Sequence, residues 1–109
     1  MTIKWVKIDP LVMNGEPFCF ATRLTVRNLL EMRANGLSPA AILADNPELR
    51  RVGIAEAFRF AAENRERYAD FFEGGALRGP GFSPAEADAF PEDLRGLTGI
   101  VVTAEGGPA

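Results

Sequence analysis

Arg50 and Arg51 stand side by side just ahead of a stretch with helical periodicity. A guanidinium at such a place can bond bidentately to guanine or to a backbone phosphate. With Arg59 on the same stretch and Arg27 on an earlier one, they form the set of candidate DNA contacts. Glu48, Glu56 and Glu63 lie around the pair, so a solvated charged surface is the competing reading. A second polar group is Arg23 with Thr22 and Asp9. Arg23 suits a phosphate or partner contact, or a structural tie from a hairpin to the first helix through carbonyls or a carboxylate such as Asp9.

Catalysis finds few candidates. The chain has no His, and its single cysteine, Cys19, lies between Phe18 and Phe20, the setting of a small buried thiol. Without paired carboxylates in a recognisable frame, general acid–base chemistry has no obvious carrier, so no enzyme activity is expected. Glu86, Asp88, Glu92 and Asp93 lack the ordered Asp and Gly positions of a calcium loop, and no His or paired Cys supports a transition metal. They read as a solvated helix rim. Gly74-Gly75 and Gly79-Pro80-Gly81 read as hinges, since neither has the context of a phosphate-binding loop. No metal and no cofactor is expected.

The elements that must position the arginines follow from punctuation and periodicity. Ile3 to Ile8 suggests a short strand, Met13-Asn14-Gly15-Glu16-Pro17 is turn chemistry, and Phe18 to Ala21 suits a returning strand. A lone two-stranded hairpin is marginal in water, so a partner surface is expected, either the helices or the same strand of a second copy. Thr25 can cap a helix whose apolar stripe is Val26, Leu29, Leu30 and Ala34, closed by Gly36. Ser38-Pro39 opens a short second helix that ends at Asp45-Asn46-Pro47. A third helix is expected from Val52 to as far as Phe72, burying Ile54, Ala57, Phe58, Ala61 and Ala62, and stopped by Gly74-Gly75. The fold class is therefore mainly α: a three-helix, helix-turn-helix-like core with a small N-terminal β hairpin, over residues 1–73, and a C-terminal extension over residues 74–109. Helix bundles that bind nothing share that order.

In the extension, Ser83-Pro84-Ala85-Glu86 opens a short capped helix, Pro91 ends it, and Leu97 to Thr103 is compatible with a strand. Lys and Arg balance Asp and Glu up to residue 73, whereas Arg78 and Arg95 face Glu86, Asp88, Glu92, Asp93 and Glu105 beyond it. A neutral body with an acidic tail is not the footprint of a strong nonspecific nucleic-acid binder. Phe82, Phe90, Leu94, Ile100, Val101 and Val102 give the tail enough apolar area to need covering, by its own body or by a partner. No apolar run approaches the roughly 20 residues of a membrane span. The alternating start, Met1 to Lys7, is unlike a secretory signal, so a cytoplasmic location is expected.

The order Ile8-Asp9-Pro10, Gly15-x-Pro17, Thr22-Arg23-x-x-Val26, Gly36-x-Ser38, Asn46-Pro47-x-Leu49 and Ile54-x-x-Ala57-Phe58-x-Phe60-Ala61 resembles the family called domain of unknown function 433. The resemblance covers about residues 6 to 62. It implies a small helix-turn-helix homodimer, an antitoxin of a VapB-like kind and autoregulator, paired with a toxin encoded by a neighbouring gene and with operator DNA. In that reading Arg50, Arg51, Arg59 and Arg27 meet DNA, and Phe82, Phe90, Leu94, Ile100 and Val102 of the tail meet the toxin. Glu16 stands where the family pattern has Lys, Phe20 where it has Arg, Ala21 for Gly and Thr25 for Pro. Loss of positive charge at positions 16 and 20 favours the alternative, a protein-interaction or dimerisation module of the same fold that does not bind DNA.

Overall fold

A computed structural model describes residues 5–20, 22–97 and 99–102. Strand β1 (Val6–Lys7) pairs antiparallel with β2 (Phe18–Cys19), Val6 opposite Cys19 and Lys7 opposite Phe18. Ile3 and Lys4 of the expected first strand lie outside the described residues. Met13, Asn14 and Gly15 all have positive φ in the connecting turn. Beyond β2, Thr22 closes a turn: its hydroxyl donates to the Cys19 carbonyl at 2.9 Å and accepts from the Leu24 amide at 3.0 Å.

Helix α1 (Val26–Ala34) starts at a capping box in which Thr25 and Asn28 bond reciprocally, and it buries Val26, Leu29, Leu30 and Arg33. It ends in a Schellman motif, with Gly36 N–H on the Arg33 carbonyl and Leu37 N–H on the Met32 carbonyl. Helix α2 (Pro39–Asp45) is capped by Ser38, and Asn46-Pro47 turns the chain through a short 3₁₀ segment, Pro47–Leu49. Helix α3 (Arg51–Glu63) packs on α1 and α2 and against β1, burying Ile54, Ala55, Ala57, Phe58 and Ala61.

The third helix stops well short of Phe72. Asn64 caps it, its side-chain amide donating to the Phe60 carbonyl at 2.8 Å, a local bond that competes with further helix. A 3₁₀ turn, Ala69–Phe71, then brings buried Tyr68 and Phe71 back towards α1. A straight helix would have carried both rings away from the core. Gly74-Gly75 is therefore not a helix stop but the two-residue turn of a second hairpin, β3 (Phe72–Glu73) with β4 (Ala76–Leu77). Both glycines have positive φ, as a primed turn needs.

The expected boundary at residue 74 falls inside that hairpin, and the C-terminal segment beyond it shares one core with the body. Helices α4 (Pro84–Ala87) and α5 (Glu92–Arg95) are each four residues long. Ser83 and Glu86 form the capping box of α4. Pro91 precedes α5 instead of ending α4. Gly99, Ile100 and Val101 form a turn and Val102 makes a single parallel bridge to Phe82, in place of a strand, and Thr98 and Thr103 lie outside the described residues. Gly99, at φ 86°, breaks the extended run and turns neighbouring carbonyls inward. Five α-helices, three 3₁₀ segments and two small antiparallel strand pairs make up the regular structure of the described residues. No helix among them is long and apolar enough to cross a membrane.

Candidate functional site

The arginines set out by the sequence fall into two groups. Arg51 is the first residue of α3 and Arg50 the residue before it, and both side chains are exposed, with no hydrogen bond or ion pair to other described residues. Arg50 holds φ 63° and ψ 152°, a conformation costly for any residue with a Cβ, and no side chain caps the helix start. Sequence punctuation specified the starts of α1, α2 and α4 but not this one.

Arg59 and Arg27 are engaged within the chain. Arg59 Nη2 lies 2.6 Å from Glu56 Oε1 on its own helix, and Nη1 lies 2.7 Å from Asp93 Oδ2 on α5. Arg27 donates to the Arg67 carbonyl at 3.2 Å, and its guanidinium covers the rings of Tyr68 and Phe71 at 5.3 and 5.7 Å. Arg67 in turn pairs with Glu16 at 3.5 Å. Glu16 thus links the segment after α3 to the first hairpin.

The group around Arg23 does not come together. Asp9 caps its own turn, accepting from the Leu11 amide at 2.9 Å, and Thr22 closes the turn already described. Arg23 itself is exposed and makes no hydrogen bond to other described residues. Cys19 is 2% exposed, and burial pushes its thiol up to about 12, so it is fully protonated at neutral pH.

The tail side chains Phe82, Phe90, Leu94, Ile100 and Val102 are all buried in the shared core. Phe82 packs edge-on to Phe90 at 4.9 Å and tilted against Phe58 of α3 at 6.3 Å. A partner meeting the folded tail therefore meets its outer, exposed side chains, such as Asp88 and Glu92.

Sequence reasoning missed Arg33, a charged residue only 2% exposed. Its Nε donates to the Gly79 carbonyl at 3.3 Å and Nη2 to the Gly99 carbonyl at 3.5 Å, while Nη1 donates to the Ile100 carbonyl. Its guanidinium carbon lies 4.6 Å from the centre of the Phe58 ring. Burial lowers its pKa to about 10, which leaves it charged at neutral pH. One side chain of α1 thus ties both ends of the segment from Gly79 to Ile100. The signal was in the sequence: Val26, Leu29, Leu30 and Arg33 follow the spacing of one helix face.

A second feature without a sequence signal is a set of exposed apolar side chains on and beside the first hairpin. Leu11 is 93% exposed, and Ile8, Val12 and Phe20 join it at the surface. Trp5 packs edge-on against Phe20 at 6.0 Å and lies 3.3 Å from the place a Cβ would take on Gly53, so Phe20 is backed through Trp5 by α3.

No curated protein and no solved structure matches the chain. A family model described as "Protein of unknown function (DUF433)" matches residues 6–61, from β1 through most of α3. More than half of the chain lies within that match, and the chain belongs to this family.

Proposed function

We propose that the protein is the antitoxin and DNA-binding autoregulator of a bacterial toxin–antitoxin pair, acting as a homodimer. The observation that carries the reading is the start of α3, where Arg50 and Arg51 are exposed and unpaired among the described residues. In a helix-turn-helix arrangement of α1, α2 and α3, that end of the third helix is the one that enters the major groove. The exposed apolar side chains of the hairpin, Leu11 foremost, support self-association, since a monomer gains nothing by leaving them in water. Two-fold symmetry would then match a palindromic operator. The toxin would dock on the folded C-terminal segment.

A second reading is supported by Arg59 and Arg27, whose charges are spent on internal contacts, and by Glu16 and Phe20 in places where the family pattern is basic. In it the protein is an interaction module of the same fold that binds no DNA. Salt separates the two: phosphate contacts lose affinity steeply with ionic strength, whereas an apolar protein interface does not. The test of the first reading is co-expression with the product of the neighbouring gene. It requires a stable stoichiometric complex and relief of that product's toxicity.

A further inference from the structure

The alternation of hydrogen bonds along the first hairpin leaves one edge of β1 free. Phe20 N–H donates to the Trp5 carbonyl at 2.8 Å, so Trp5 and Phe20 form a bonded pair, and the next pair, Val6 and Cys19, exchanges no bonds. The Cys19 amide points the other way and donates to the Leu24 carbonyl at 2.8 Å. The chain entering α1 thus closes the far edge of β2, with a bridge between Phe18 and Thr25. By the same alternation the Val6 amide and carbonyl point away from β2. Neither they nor those of Ile8 meet a hydrogen-bond partner among the described residues. Unpaired main-chain groups on a strand edge are a template for another strand. Val6 to Asp9 also line, with Phe18, an open groove of about 470 Å³, so space lies beside them.

Charge commonly blunts such edges, and Lys7 alone would do so. Here Asp9 stands two residues on, the spacing that shares one face of an extended chain. Both are exposed, with no ion pair among the described residues. Between them Ile8 leaves 58% of its surface in water. Lys7-Ile8-Asp9 is its own complement when run antiparallel: with Ile8 opposite Ile8, Lys7 of each copy faces Asp9 of the other. Centring the pairing on Lys7 instead would set two ammonium groups against each other, and Pro10, without an amide, ends the ladder beyond Asp9.

We propose that two copies of the chain join through this edge, β1 of one antiparallel to β1 of the other about a two-fold axis at Ile8, with two Lys7–Asp9 ion pairs fixing the register. The inference rests on the homodimer half of the function proposed above and names its surface: the two small hairpins become one four-stranded sheet. The occupant is a second copy because the edge carries both halves of the charge pattern that it recognises. Pairing covers Ile8 and gives a marginal two-stranded hairpin the extra strands it needs.

The test measures self-association of the full chain by sedimentation equilibrium at low salt, for the parent, Lys7→Glu, Asp9→Lys and an equimolar mixture of the two variants. Each variant alone turns both ion pairs into repulsions, so its dimer should dissociate on the order of tenfold more readily than the parent's. In the mixture the changed position 7 of one chain faces the changed position 9 of the other, and the native Lys7 and Asp9 face each other. Its dimers should return to within about twofold of the parent's stability. Loss of the bond from the Leu11 amide to Asp9 cannot produce that pattern, since the mixture carries the same loss. If either variant alone dimerises as the parent does, this edge is not the interface, and the homodimer stands on another surface. If both variants lose dimer and the mixture does not regain it, the register is wrong and the proposal fails. If the parent is monomeric throughout, the homodimer reading fails and the edge pairing fails with it.

Discussion

The carbonyl of Arg33 lies so close to Gly79 that a Cβ added to the glycine would sit 1.8 Å from its oxygen, while the Arg33 side chain reaches past to hold the Gly79 carbonyl at 3.3 Å. Gly79 also has φ 95°. Main chain and side chain of a single residue on α1 thus grip the point where the second hairpin gives way to the tail. The tail is folded because α1 offers that grip, and the acidic residues are positioned as a consequence.

Loosening the grip should release the tail before the body unfolds. Arg33→Met leaves the Gly99 and Ile100 carbonyls without their donor and should cost roughly 2–3 kcal/mol. Lys should not rescue it, since an ammonium has no planar fork to span three carbonyls. Gly79→Ala should cost at least as much, whereas Gly36→Ala, at φ 99° but in open space, should cost about 1 kcal/mol. Urea denaturation gives the free energies. Limited trypsin digestion should cut at Arg95 in the Arg33 variants sooner than in the parent.

Cys19 should make stability fall in mild alkali. The unfolded thiol ionises near 9.0 and the folded one near about 12. Between those values the folded state keeps a proton that the unfolded state has lost, so the stability present below about pH 9 declines as the pH rises. The loss between about pH 8 and pH 10 should be roughly 1 kcal/mol, and Cys19→Ala should flatten it. Arg33 acts with the opposite sign, its folded pKa lowered to about 10 from 12.5, so its burial penalty is relieved only above that window.

Arg50 sets stability against function. Its φ of 63° and ψ of 152° suit glycine, so Arg50→Gly should raise stability by about 1 kcal/mol in thermal or urea unfolding. The same change should weaken DNA binding and flatten its salt slope by about one. A variant with unchanged stability would show that the chain relaxes at this turn.

Leu11→Asp tests the exposed apolar side chains of the hairpin. With 93% of Leu11 exposed, the change should alter folding free energy by less than about 0.5 kcal/mol. It should nevertheless shift light scattering of a dilute sample from dimer towards monomer. A parent protein that is already monomeric would remove the argument from two-fold symmetry.

The sequence carried the body of the fold where local chemistry decides it. Thr25, Gly36, Ser38-Pro39 and Asn46-Pro47 each satisfy or break backbone hydrogen bonds within a few residues, and those boundaries can be read directly. The reading went astray where distant contacts decide. Asn64 ends α3 so that Tyr68 and Phe71 can return to α1, and a helical pattern to Phe72 contains no sign of that return. The tail's apolar residues read as partner-seeking because the surface that buries them, Phe58 and the far end of α1, is remote in sequence. The candidate arginines were visible by type. Which of them are engaged, Arg59 by Asp93 and Arg27 by the Arg67 carbonyl, depends on contacts between residues 34 and 40 positions apart.

Co-purification after co-expression with the product of the neighbouring gene tests the central claim most directly. The account predicts a stable stoichiometric complex in which that product's toxicity is relieved. A harmless neighbour that does not bind would contradict it.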